Sequence, residues 1–516
     1  MSPYSSQPAR SRTLAGLTAV VLFAIASCSS QSTGSTTTST GSSGTDAPPP
    51  ASTGAGPSST GSAGASTFTW TDCGDGFQCS SLTVPEDWAK PDGRTIDISV
   101  SRLPATAAQS EGVLLINWGG PGAPGVQELR TYGRELVDAT QGRLDLVSWD
   151  PRGLATSTPI ECPEGNDAFY WADPSTDAGF AAMAKAARDK AAACSQRYGD
   201  YIGLVGTTQG VRDLDAIRAA LGEEKINFLG HSYGTRVGSV YAAMFPDRIR
   251  TMVLDGSLTP WATLRSTALG NAISFEEALH EWFRRCTAAP PCAFGEDPAA
   301  GFDALVAQVR ADPPAVPGSN DRLTVGLLNQ VFLAGIVNYN GSTDVANQAI
   351  AELRAGDPST AYLLGTAAAG RKPDGTFNNA SAIFQFVNCQ DWSDRPSEDE
   401  VKGAMALAQQ SAPRLGEFAV AFSYLNSLGC PNPPESTPVP SATDLPPTMI
   451  IGGANDSETP LQWSQELSAA MPNSQLLVSQ DWGHTAFYTS ACVAERAGAY
   501  LVSGELPPPG TVCPAD

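Results

Sequence analysis

Histidine is scarce in this 516-residue chain: there are three, and none joins a cysteine cluster of the kind that holds zinc. Basic residues are few, with 31 Lys and Arg against 53 Asp and Glu, a net charge of −22. That balance excludes a nucleic-acid binder, which needs a basic footprint. The apolar stretch Leu14 to Ala26 has only thirteen residues, too short to span a bilayer as a helix. No internal repeat is found. The glycine-rich loop at 119–125, "GGPGAPG", lacks the Gly-Lys-Ser/Thr of a phosphate cradle and does not match Gly-x-Gly-x-x-Gly.

What is present begins with a processing segment. Arg10 and Arg12 precede the apolar stretch, and "IASC" ends it at Cys28. This layout is a secretory signal peptide over 1–27. Small residues before the cysteine resemble a bacterial lipobox, which implies a lipid on Cys28 and attachment to the outer face of the cell membrane. The other reading is ordinary cleavage and secretion. Residues 29–66 are almost wholly Ser, Thr, Gly, Ala and Pro, a flexible tether reaching roughly 35 Å. The acidic excess reads first as solubility outside the cell, and second as an attraction for cationic substrates such as free amino termini.

Eleven cysteines are an odd number. With Cys28 set aside, ten remain, enough for five disulfides in an oxidising compartment. Pairing of neighbours (73–79, 162–194, 286–292, 389–430, 492–513) is the simplest of the many connectivities that ten cysteines allow.

From about Thr67 the chain patterns as an α/β protein. "TIDISVSRL" alternates as a half-buried strand. "GVLLIN" (112–117), "LDLVSW" (144–149), "KINFL" (225–229) and "IRTMVLDG" are short continuous apolar runs. Helical patterns such as "GVRDLDAIRAALG" and "TRVGSVYAAMF" alternate with them, as in a mostly parallel sheet. The alternation stops near Gly256. Helical stretches fill 257–441, and strands return at 447–453 and 474–480. The expected organisation is a core in two parts, 67–256 and 442–516, divided by a helical cap late in the sheet.

Ser232 lies in "GHSYG", between a predicted strand and a predicted helix. That is the setting of a nucleophile elbow, with Gly230 and Gly234 permitting close backbone approach. A serine nucleophile needs a base. His231 is adjacent, but successive residues at a tight turn point apart, so it is expected to pack beside the sheet. His280 falls mid-helix in the cap. His484 follows strand 474–480, at the carboxyl end where sites in open α/β sheets lie. Asp456, after strand 447–453, is the expected acid, with Glu458 and Asp255 as rivals. Asp255 is expected to hold a loop. The order Ser, Asp, His is that of α/β-hydrolases. Oxyanion donors are expected at the backbone N–H of Tyr233 and in the glycine-rich loop, at Gly120 first and Gly119 second. No metal or organic cofactor is called for.

These pieces resemble the secreted tripeptidyl aminopeptidases of actinobacteria, relatives of prolyl iminopeptidase within the α/β-hydrolase fold. The resemblance rests on "VPEDW" (84–88), "NWGGPGAPG" (117–125), "DPRG" (150–153), "GHSYGTR" (230–236), "GGANDSETP" (452–460), "WGH" (482–484) and the ending "YLVSGELPPPGTVC". It implies cleavage of short units, tripeptides in particular, from the free N-termini of peptides or proteins. It supports Ser232, Asp456 and His484 as the three catalytic residues. Trp118 departs from it, standing where prolyl iminopeptidases carry histidine, and puts simple iminopeptidase specificity in doubt. Such an enzyme must recognise an ammonium group, and Asp391 in the cap is a candidate, with a surface or capping role as its alternative. Other readings of the chain are an esterase or lipase acting on cell-envelope esters, and an inactive hydrolase-fold protein that binds envelope peptides.

Overall fold

A computed structural model describes residues 67–259, 261–338, 341–430 and 445–515. The expected signal peptide, Cys28 and linker lie outside the described residues. No helix among the described residues is long and apolar enough to cross a membrane.

Ten strands build one sheet: β1 (Thr71–Asp72), β2 (Gln78–Pro85), β3 (Thr95–Leu103), β4 (Val113–Asn117), β5 (Asp145–Trp149), β6 (Ile226–His231), β7 (Ile249–Asp255), β8 (Thr448–Asn455), β9 (Ser474–Trp482) and β10 (Val512–Cys513). Their order is β1-β2-β3-β5-β4-β6-β7-β8-β9-β10. The first three strands run antiparallel, and β3 joins β5 antiparallel. From β5 to β10 every pairing is parallel. All residues of β4 and β6 are buried, as continuous apolar runs require when helices cover both faces. In β3, nearer the edge, Ile96, Ile98 and Val100 are buried while Thr95 and Asp97 face solvent.

Helix Gly125–Ala139 crosses from β4 to β5, and helix Tyr233–Met244 from β6 to β7. After β7 the sheet is interrupted. The chain runs through helices from Leu264–Ala288 to Gly416–Ser423 before re-entering the sheet at β8. This is the expected late helical insertion. Two further helices, Asn166–Trp171 and Asp177–Tyr198, leave the sheet earlier, between β5 and β6. They pack on the insertion: Gln385 Nε2 donates to the Ala187 carbonyl at 3.0 Å, and Lys190 Nζ to Ser381 Oγ at 3.2 Å.

The ten described cysteines form Cys73–Cys79, Cys162–Cys194, Cys286–Cys292, Cys389–Cys430 and Cys492–Cys513, the pairing of neighbours. Cys389 and Cys430 are separated by 41 residues, Cys73 and Cys79 by 6. Loop-closure entropy then predicts a loss of about 4 kcal/mol on replacing the first pair by serine, against about 2 kcal/mol for the second. Urea unfolding of the two double variants measures the difference, and equal losses would contradict it.

Candidate active site

Strand β6 ends at His231 and the next helix starts at Tyr233, so Ser232 makes the turn alone. It does so with φ 54° and ψ −123°, a conformation strained for any residue with a Cβ. Its neighbours make room. A Cβ on Gly230 would strike the Gly234 carbonyl, and one on Gly234 would lie 2.5 Å from the Asn117 carbonyl oxygen. The Ser232 N–H donates to the Asp255 carbonyl at 2.8 Å, and the Thr235 N–H to the Ser232 carbonyl at 2.8 Å. The turn is thus held from β7 and from its own helix.

Asp456 and His484 follow β8 and β9 at the same end of the sheet. His484 Nδ1 lies 2.8 Å from Asp456 Oδ1. That oxygen also accepts from the Glu458 and Thr459 N–H groups at 2.9 and 2.8 Å. Oδ2 accepts from the Thr459 hydroxyl and the Thr485 N–H, both at 3.0 Å. Burial alone would raise the Asp456 carboxyl. The His484 charge and hydrogen bond, with the Thr459 and Glu458 N–H groups, outweigh it and hold the carboxyl below its ordinary value. On His484 burial pulls the other way, but the charges of Asp456 and then Glu458 prevail and raise the imidazole to about 9. Its backbone is pinned by the His484 N–H donating to the Val337 carbonyl at 2.9 Å.

His484 Nε2 forms no hydrogen bond, to Ser232 or to any other described group. Glu458 Oε2 stands 3.2 Å from it, off the line of the N–H bond, so the contact is one of charge. Ser232 and His484 line one cavity, together with Gly120, Glu128 and Glu458. Leu333, Val337, Phe384 and Phe422 give it apolar walls.

Of the two expected oxyanion donors, Gly120 lines the cavity and Tyr233 directly follows Ser232. Tyr233 is the first residue of its helix, so its N–H has no acceptor within the helix. In the glycine-rich loop the Gly119 N–H is spent on Asn117 Oδ1 at 3.1 Å. The Gly120 N–H has no such partner among the described residues, and Gly120 lines the cavity. The loop reaches the elbow because position 119 has no side chain: a Cβ there would lie 3.1 Å from the Ser232 Cβ.

The remaining candidates separate. His231 is buried, with Nδ1 3.2 Å from Asp255 Oδ2 and its ring stacked on Trp118 at 5.7 Å. Asp255 holds the histidine loop, accepting from the Ala486 N–H at 3.0 Å and the Phe487 N–H at 2.9 Å. His280 is largely exposed on helix Leu264–Ala288. Trp118 is buried and donates to Ser148 Oγ at 3.1 Å.

Asp391 does not reach the cavity, which corrects its candidacy as an ammonium acceptor. Its carboxylate already accepts from the Thr207 N–H at 2.8 Å, the Tyr233 hydroxyl at 2.7 Å and Arg236 Nε at 3.1 Å. The pair is buried, with 2% and 1% of the Arg236 and Asp391 side chains exposed. Sequence reasoning missed Glu128, which lines the cavity from the first turn of helix Gly125–Ala139. Its only cue was a charged residue three positions after the glycine-rich loop. Replacing Asp391 by alanine removes the carboxylate from this buried pair and should cost about 3–5 kcal/mol of stability. Unfolding in denaturant measures this. Unchanged stability with a raised KM would return Asp391 to the substrate.

Residues 112–491 match the family model of the alpha/beta hydrolase fold. The chain is 31% identical over 458 residues to serine protease Hip1 of Mycobacterium tuberculosis, covering 85% of this chain and 87% of that protein. It is 30% identical over 480 residues to a tripeptidyl aminopeptidase of Streptomyces lividans, covering 86% of each. It is 29% identical over 463 residues to carboxylesterase B of Mycobacterium tuberculosis, covering 84% of this chain and 86% of that protein.

Proposed function

This chain belongs to the α/β-hydrolase fold family, as a serine hydrolase related to actinobacterial peptidases and esterases, and on that premise we propose that it is a serine exopeptidase releasing short peptides from free N-termini. The observation that carries the reading is a single cavity bordered by Ser232 on its strained turn and by His484 backed by Asp456. In this reading Ser232 attacks the scissile carbonyl while His484 Nε2 takes its proton. Asp456 fixes the imidazole with Nδ1 toward itself and stabilises the imidazolium. The N–H groups of Tyr233 and Gly120 receive the developing oxyanion. His484 then protonates the leaving amine, and water frees the acyl group from Ser232.

Tripeptides are the unit suggested by the Streptomyces relative's name. We place the enzyme outside the cell, tethered by a lipid on Cys28 through the linker. The five disulfides suit that compartment. A carboxylesterase is the second reading, favoured by the cavity's apolar walls and by the relative of that name. Tripeptidyl amides compared with short acyl esters separate the two, and no cleavage of any peptide with a free N-terminus would sink the first.

Covalent labelling by a fluorophosphonate should be lost in Ser232→Ala. Absence of labelling in the folded, disulfide-intact wild type would instead favour a binding protein without catalysis. His484→Ala should lower kcat/KM by at least about 10⁴-fold, whereas His231→Gln should spare most activity. Equal losses in folded protein would mean that the base is misassigned. A base works deprotonated, so kcat/KM should rise with pH, with a limb displaced from the ordinary imidazole value toward 9. A pH–rate profile checks this, and a limb near 6 would contradict it.

A further inference from the structure

The cavity beside Ser232 is lined by two carboxylic acids, Glu128 and Glu458, and, among the described residues, by no lysine or arginine. Glu128 is 2% exposed. No hydrogen bond stabilises its carboxyl, and the one charge that acts on it is another acid, Asp150. Burial first, and Asp150 second, raise it to about 8. A buried carboxyl with no partner costs folding free energy, and its opening onto a cavity marks a place for a cation.

Glu458 is held differently. Its backbone is fixed, with its N–H on Asp456 Oδ1 at 2.9 Å and its carbonyl accepting from Asn271 Nδ2. Its side chain stays 32% exposed, and its carboxylate lies against Nε2, the face of His484 that must serve Ser232. Rotation of this side chain can exchange His484 for a ligand in the cavity without moving the loop. No other cation among the described residues contacts the Glu458 carboxylate.

Building on the exopeptidase reading, we propose that Glu458 and Glu128 together bind the positively charged amino terminus of the substrate, and that this capture draws Glu458 away from His484 and frees the base. In the free protein the imidazole faces the carboxylates of Asp456 and Glu458, the Thr459 hydroxyl and, farther off, Asp255. All three acids favour the imidazolium, whose Nε2 cannot accept the Ser232 proton. An ammonium group seated between Glu458 and Glu128 supplies Glu458 with a counter-charge, and Glu128 gives up its carboxyl proton to solvent as the cation arrives. The imidazolium then releases its Nε2 proton to solvent, and Ser232 gains its acceptor. An acylated N-terminus brings no charge and leaves Glu458 in place. Recognition and activation thus become one event, so that a chain without a free amino end is poorly bound and also meets a protonated base.

The test compares one-, two- and three-residue amide substrates with free and with acetylated N-termini, in the full-length protein. Wild type should prefer the free amine by at least tenfold in kcat/KM, and Glu458→Gln should reduce that preference to within about threefold. Because the neutral amide no longer favours the imidazolium, Glu458→Gln should also label faster than wild type with fluorophosphonate at pH 7, and its pH–rate limb should move to lower pH. Loss of discrimination together with faster labelling is not the outcome of a merely damaged site. Glu128→Gln should weaken the preference as well, through KM; thermal unfolding shows whether it folds, and the partly exposed Glu458 carries the test alone if it does not. An unchanged preference in Glu458→Gln, or no preference in wild type, would overturn the proposal. A wild type that prefers the free amine, with the preference kept in Glu458→Gln, refutes this inference only, whereas one that labels at Ser232 and cleaves peptides without regard to acetylation refutes the free-N-terminus reading as well. A wild type that neither labels nor cleaves refutes the exopeptidase reading itself.

Discussion

The site depends on a close approach between the loop after β4 and the turn after β6, where backbone meets backbone with no side chain between. Gly119, Gly230 and Gly234 each sit where a Cβ would collide with a carbonyl of the opposing segment or of the turn itself. That contact sets the position of everything at the site. It brings Gly120 and Ser232 to one cavity, with the first N–H of the following helix directly after the serine. It also forces Ser232 to positive φ, a strain that persists because the hydrogen bonds from β7 and from Thr235 over-determine the turn. The cost of order 1–3 kcal/mol is small beside what a sheet of this size buries.

Buried acids then tie the other parts to this turn. Asp255, at the end of β7, receives the N–H groups of Ala486 and Phe487 and so places the loop that carries His484. Asp456 gathers N–H groups from its own loop and from Thr485. Each acid is held by several donors, which compensates the desolvation of a carboxylate inside a protein. Glu128 has no such compensation. The contrast between acids saturated by the protein and an acid left without donors distinguishes parts of the framework from a group facing a ligand.

Much of this was legible in the sequence. Strands covered on both faces announce themselves as unbroken apolar runs, and even the partly exposed β9 holds a short one, so β4 to β9 were found with the loops at their carboxyl ends. Ser232, Asp456 and His484 could be nominated because each follows such a strand. What escaped has physical reasons. β1 and β10 are two residues long, and β2 is an edge-side strand rich in serine, so neither length nor burial stamps a pattern on them. Helix Asp177–Tyr198 is alanine-rich, and its apolar face barely differs from its polar one. Asp391 looked like a candidate for binding because sequence does not show its partners, Thr207, Tyr233 and Arg236, each more than 150 residues away. Glu458 was weighed as a rival to Asp456, while its place at the far nitrogen of His484 depends on a fold in which both loops converge.

Helix Ala380–Asp391 shows how far the insertion is from being a separate part. It begins at the cavity, where Ala380, Ser381 and Phe384 form the wall, and ends on the Arg236 side chain of the elbow helix. Asn379 ties its start to the Gly153 carbonyl, and Gln385 ties its middle to helix Asp177–Tyr198. Its acid and the elbow's arginine belong to segments that sequence would assign to different modules. Exchanging insertions between relatives at their apparent borders would therefore divide a buried ion pair between two parents. A replacement insertion has to bring its own aspartate to the arginine of the core, so the cavity wall and the buried pair change together or not at all.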